Sequence, residues 1–147
     1  GVGSEENVAD QIKHYQKFTV NIPDENFMLE MEQAGFISHR EKIAKLGLDF
    51  QPSKLTQAPI LDACPVVLDC EVDRIIEEDG ICHIFAKILD RLADPGLLDD
   101  KGHFCNDSFA PTYFMGDGHK RVYRYLDNRV DPMGSFIKKA RKKDDKS

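Results

Sequence analysis

No run in this 147-residue chain approaches the roughly 20 consecutive apolar residues that a membrane-crossing helix needs, so a transmembrane reading is set aside. Cysteine is sparse. Cys64, Cys70, Cys82 and Cys105 form no Cys-x-x-Cys pair and none has a histidine at ligand spacing, so neither a zinc site nor a redox dithiol is indicated. With no secretory signal pattern at the start, the four read as reduced thiols of a cytoplasmic protein. Basic charge is in deficit, with 20 Lys+Arg against 26 Asp+Glu and a net charge of -6, and the basic residues gather in the last ten positions. A broad phosphate-binding surface is therefore not expected, and neither is nucleic acid as a partner. Internal repeats are missing too, and the chain opens on Gly1 instead of methionine, so a tag remnant, processing or a missing upstream segment has to be considered.

What is present suffices for one folded domain. Hydrophobic residues make up 41% and charged residues 31%, a balance that does not predict disorder. Val8, Ile12 and Tyr15 recur at helical spacing behind Glu5 and Glu6, acidic residues suited to a helix start. In Lys17 to Pro23, Phe18, Val20 and Ile22 alternate with polar partners, a strand that Pro23 ends. Asp24 caps a second helix that stops near Gly35, and a short third helix runs from His39 to Leu46. Leu48 to Pro65 carries three prolines and no period, and reads as an extended connector.

From Val66 the period changes to two. Val66, Leu68, Cys70 and Val72 point to one face while Asp69, Glu71 and Asp73 point to the other, which predicts a half-buried strand. Glu77-Glu78-Asp79-Gly80 supplies a turn, and Ile81 to Leu89 returns, completing a long hairpin. Two β-prone pieces follow, Thr112 to Met115 and Val122 to Leu126. Residues 138–147 read as a charged, disordered tail, leaving 1–137 as the domain. The predicted class is α+β, mainly β, with helices inserted early around antiparallel sheet.

Few residues suggest chemistry. The helix start at Gly3-Ser4-Glu5-Glu6-Asn7 offers backbone N–H groups with a hydroxyl and an amide, suited either to a phosphate or to plain capping by Ser4 and Asn7. Ser38-His39-Arg40 joins a hydroxyl, a titratable ring and a bidentate cation at a helix start, and reads either as an anion site or as a solvated cap. His14, His83, His103 and His119 are scattered, so no metal site is expected; His83, beside Ile81 and Phe85, reads as a core or interface side chain. Cys64 and Cys70 lack a basic neighbour and read as packing residues, and no catalytic residue is assigned. Tyr113, Phe114, Tyr123 and Tyr125 read as a buried terminal hairpin, a flat-ligand surface or a dimer contact.

Several segments, in order, resemble the flavin reductase-like family of flavoredoxin type. These are Phe18-Thr19-Val20-Asn21-Ile22-Pro23 after a helix, Gly35 to Glu41, Leu46-Gly47-Leu48, Ala58 to Val72, Val122 to Leu126 and Met133 to Phe136. The resemblance covers what would be the C-terminal two-thirds of the family domain. It implies an FMN-binding split β-barrel, here partial because the family's N-terminal strands are absent, and a homodimer that holds FMN at its interface while NAD(P)H delivers hydride to the flavin. It also implies that Ser4, Asn7, Ser38, His39 and Arg40 are the cofactor-binding residues of this segment. The alternative is a non-catalytic flavin-binding or dimerisation module.

Overall fold

The computed structural model describes residues 1–36 and 46–144. β1 (Val2–Gly3) leads into helix α1 (Asn7–Tyr15) and β2 (Lys17–Ile22), and a 3-10 turn at Glu25–Phe27 opens α2 (Met28–Phe36). Next come β3 (Phe50–Pro52) and β4 (Pro59–Leu61), the long strands β5 (Val66–Glu78) and β6 (Ile81–Ala93), then β7 (Thr112–Gly116), β8 (Arg121–Tyr125) and α3 (Ser135–Asp144). The main sheet has the order β1-β6-β5-β2, antiparallel throughout, while β3-β4 and β7-β8 form separate two-stranded sheets. The architecture is mainly β with helices, as expected, and its sheets do not close into a barrel among the described residues.

The local chemistry of the elements follows the sequence. Ala9 and Ile12 are the buried positions of α1, one helical turn apart on its inner face. Gln16 ends that helix in the left-handed region, its amide bonded to the Ile12 carbonyl and its side chain to the Lys13 carbonyl. Asp24 accepts a hydrogen bond from the Asn26 amide, so the expected cap is present, on the 3-10 turn that precedes α2. The third helix expected from His39 lies outside the described residues.

Between β5 and β6, Asp79 and Gly80 both have positive φ, 50 and 75°. A two-residue turn of that kind matches the right-handed twist of its strands. A Cβ at Gly80 would touch nothing within 4 Å, so any cost of a side chain there is backbone strain alone. Gly80→Val should lower stability by about 1–2 kcal/mol, the penalty of left-handed backbone for a residue with a Cβ. Gly80→Asn should cost much less, because asparagine tolerates this region. Urea unfolding of the two variants measures the difference, and equal midpoints would contradict it.

Four expectations need correction. The stretch from Leu48 to Pro65 is not a bare connector but holds the β3–β4 hairpin, paired from Phe50–Leu61 to Pro52–Pro59. Its prolines fall at strand ends and on a short edge, where no ladder donor is needed. Asp69 does not point to water: it is 1% exposed, on a face covered by the segment that joins β3 to β4. A register shift between Asp69 and Cys70 then brings the next residue, Cys70, into the core as well. His83 is exposed, not packed in a core. In place of a disordered tail from Lys138, α3 runs from Ser135 to Asp144, so the boundary expected at 137 falls inside a helix.

The core is small. Ala9, Ile12, Ala58, Cys64, Val67, Cys70, Cys82 and Leu97 are its buried apolar members, while Tyr113, Phe114, Met115, Tyr125, Phe136 and Ile137 are each more than half exposed. Burial in a terminal hairpin is therefore not the role of Tyr113, Phe114 and Tyr125, while Tyr123 is half-buried with its ring edge-on to Phe114.

Candidate functional site

A cleft of about 760 Å³ lies between α1, β2 and the turn that joins β3 to β4. Its walls are assembled by hydrogen bonds from one face of the sheet. Thr19 gives its hydroxyl proton to the Pro59 carbonyl, and Asn21 bonds through its amide nitrogen to the same carbonyl at 3.4 Å while accepting the Leu61 amide at 2.9 Å. The polar positions of β2 thus grip β4 and anchor a second layer.

Val8, Ile12, Tyr15, Val20, Ala58 and Pro59 give the cleft an apolar lining, and Gln11, Thr19, Asn21 and Gln57 add a few hydrogen-bonding groups. Such a combination suits a flat, largely apolar ligand with polar edges. At one end stands the N-terminus of α1. Glu6 occupies the cap position but makes no side-chain cap bond, and among the described residues no acceptor takes the amides of Asn7 and Val8.

The residues picked from the sequence are placed unevenly. Asn7 is exposed at the first position of α1, next to Val8 on the cleft wall. Ser4 is not among the residues that line the cleft: its amide is bonded to the Gly80 carbonyl at 2.9 Å and its hydroxyl accepts from the Cys82 thiol at 3.5 Å. Neither Ser4 nor Asn7 caps the helix. Ser38, His39 and Arg40 lie outside the described residues.

All four cysteines are free thiols. Burial pushes the Cys64 thiol up, with the charge of Asp24 adding to it, and burial followed by the Asp69 charge does the same to Cys70. Neither favours the thiolate, which agrees with a packing role. Beside Cys82, Lys13 pairs with Glu77, raising the lysine and lowering the carboxyl. That exposed pair ties α1 to the hairpin and touches no cleft wall.

The sequence reading missed Gln11, Thr56 and Gln57 on the cleft and Asp69 behind it. For Asp69 a signal existed: a carboxylate inside the apolar run Val66 to Cys70.

Comparison with known proteins agrees with this architecture. The model of the flavin reductase like domain matches residues 1–111, and the chain belongs to that family. Among solved structures, flavoredoxin of Desulfovibrio vulgaris (Miyazaki F) superposes with a TM-score of 0.77 at 22% identity, covering 89% of this chain and 70% of that one. Flavoredoxin of Methanosarcina acetivorans gives 0.78 at 18%, covering 92% and 73%. A 2-nitrobenzoate 2-nitroreductase of Pseudomonas fluorescens gives 0.75 at 23%, covering 85% of this chain. The chain spans 62% of the length of that nitroreductase. No curated protein sequence matches. At these identities the likeness establishes a shared fold.

Proposed function

We propose that this chain is the FMN-binding part of a flavin reductase-type oxidoreductase, in which NAD(P)H passes hydride to FMN held in the cleft. The single observation that carries the reading is the cleft itself: an apolar slot of flavin-accommodating volume ending at an uncapped helix N-terminus, in a chain of this family. The residues fit the cofactor. Val8, Ile12, Tyr15 and Pro59 offer apolar walls for a ring, and Gln11, Thr19 and Gln57 offer polar atoms for its edges. A phosphate suits the free amides of Asn7 and Val8 with the positive end of the helix dipole behind them. Ser4 retains a hydroxyl proton for the same group, and Ser38, His39 and Arg40 supply the cationic side of the site in this reading.

When bound, FMN supplies the two-electron chemistry, and the protein's part is binding, orientation and exclusion of water. No acid or base of the chain is required for hydride transfer, in keeping with the lack of an assigned catalytic residue. Free thiols suit a reducing compartment, and we place the protein in the cytoplasm. Titration of the protein with FMN, followed by flavin fluorescence, tests the reading; saturable quenching is expected, and none up to millimolar flavin would reject it. The second reading, a flavin-binding module without reductase activity, keeps the quenching and loses the response to NAD(P)H.

We further infer a homodimer. The chain exposes 11877 Å², against about 7,600 Å² for a compact monomer of its mass. Half of the 20 Lys+Arg but only 5 of the 26 Asp+Glu fall in residues 112–147, so a basic, aromatic arm follows a strongly acidic domain. Charge complementarity between the arm of one copy and the domain of another supports assembly. Phe136→Asp combined with Ile137→Asp should weaken the dimer by at least about thirtyfold, the scale of one lost apolar anchor. Sedimentation equilibrium reads this out, and a monomeric wild type at micromolar concentration would contradict it.

A further inference from the structure

The side of the cleft formed by the turn between β3 and β4 rests on a carboxylate that the preceding account does not use. Asp69 is 1% exposed, and among the described residues no cation pairs with it. One of its oxygens, Oδ1, accepts the hydroxyl proton of Thr56, and the other, Oδ2, has no hydrogen-bond partner among the described residues. Burying a carboxylate on such terms costs several kcal/mol, and an apolar residue would pack there at less cost. Stability alone gives no reason for this residue.

Its effect on the turn is specific. A carboxylate only accepts, so the proton in the Thr56–Asp69 bond belongs to Thr56. Thr56 Oγ1 therefore turns its lone pairs to the Ser53 hydroxyl at 2.9 Å and the Ala58 amide at 3.2 Å, and its hydrogen-bonding capacity is filled. Ser53 Oγ in turn accepts the Thr56 amide at 3.2 Å, and the Ser53 amide bonds to the Ala58 carbonyl at 2.8 Å. The turn so closed holds Gln57 at a φ of 64°, a conformation that a glutamine adopts only where its surroundings enforce it. Thr56, Gln57, Ala58 and Pro59 are the wall that this turn presents to the cleft. Thr19, directly across the sheet from Asp69, grips the far end of the same turn through the Pro59 carbonyl.

We propose that Asp69, acting through Thr56, is a positioning residue that sets the Thr56–Pro59 wall against the bound flavin. The proposal rests on the reading of the cleft as the flavin site. Asp69 touches no ligand; it fixes which way the Thr56 hydroxyl points, and that choice fixes the turn.

The test compares wild type, Asp69→Asn, Thr56→Val, Thr56→Ser and the double variant Asp69→Asn/Thr56→Val, each titrated with FMN and examined at saturation by visible circular dichroism of the flavin. Thr56→Val removes the hydroxyl and should weaken FMN binding about tenfold, the effect of losing one buried hydrogen bond, and Asp69→Asn, whose amide can donate as well as accept and so no longer forces the direction of the Thr56 hydroxyl, should weaken it in the same direction by less. Both should change the flavin dichroism in the same direction, a signature that mere loss of stability does not produce. Thr56→Ser keeps the hydroxyl and should restore both readouts, and the double variant should be no worse than Thr56→Val alone. Variants that bind FMN with wild-type affinity and dichroism would overturn the proposal while leaving the flavin site standing. A wild type without FMN affinity would overturn both. Thr56→Val keeps the shape of threonine, so its result decides the matter even if Asp69→Asn folds poorly.

Discussion

Asn21→Leu is expected to lower stability by about 2–3 kcal/mol and to weaken FMN binding with it. Leucine matches asparagine closely in size, so the substitution tests hydrogen bonding more than packing. The Asn21 side chain accepts the Leu61 amide at 2.9 Å and donates to Thr19 Oγ1 at 3.0 Å and to the Pro59 carbonyl at 3.4 Å. Leucine leaves the part-buried Leu61 amide without its acceptor, which costs about 1–3 kcal/mol by itself, and removes the orientation of Thr19 as well. Because Asn21, Thr19 and Pro59 all line the cleft, loosening β4 disturbs the proposed flavin wall at the same time. Urea unfolding and FMN titration should move together. A change below about 0.5 kcal/mol, the range of ordinary surface substitutions, would show that β4 does not depend on this clamp.

The second large effect concerns Arg40. In the proposed site it is the bidentate cation, two positions after Ser38 in the sequence and at a position the family resemblance also marks. Arg40→Ala should weaken FMN or NAD(P)H binding by about 1.5–3 kcal/mol, the range for hydrogen bonds to charged groups. Binding isotherms for both nucleotides check it, and the melting temperature should hardly change. Unaltered affinity for both would return Ser38-His39-Arg40 to the reading of a capped, solvated helix start.

Much of the fold was legible because its elements announce themselves locally. The alternation in Phe18 to Ile22 became β2, and Asp79-Gly80 became the turn of the long hairpin, since short-range backbone preferences decide both. Asp69 was misread because alternation assigns faces but not what covers them. The covering segment, Ser53 to Pro59, lies ten or more positions earlier and shows no strand period of its own. β3 and β4 escaped notice for a related reason: each has three residues, too few for a period, and β4, which carries β3, is held by the side chains of Thr19 and Asn21. In α3 the density of lysine pointed to a solvated tail, yet lysine and arginine are good helix formers and the pattern permits a helix.

The candidate site was less legible than the fold. Asn7 was singled out because a helix start is a local feature. Gln11 comes from α1 and Thr56 and Gln57 from the β3–β4 turn, two separate segments that meet only when both fold against β2. No short motif encodes that meeting, and the resemblance carried by segments in order along the chain indicated the family more directly than any cluster of polar residues.

The most direct measurement of the central claim is anaerobic addition of NADH or NADPH to the FMN-loaded protein, with the visible flavin absorbance followed over time. Loss of that absorbance is expected with one of the two nucleotides, in proportion to nucleotide oxidised, faster than for free FMN. A yellow protein that keeps its flavin absorbance with both nucleotides would contradict the reductase assignment.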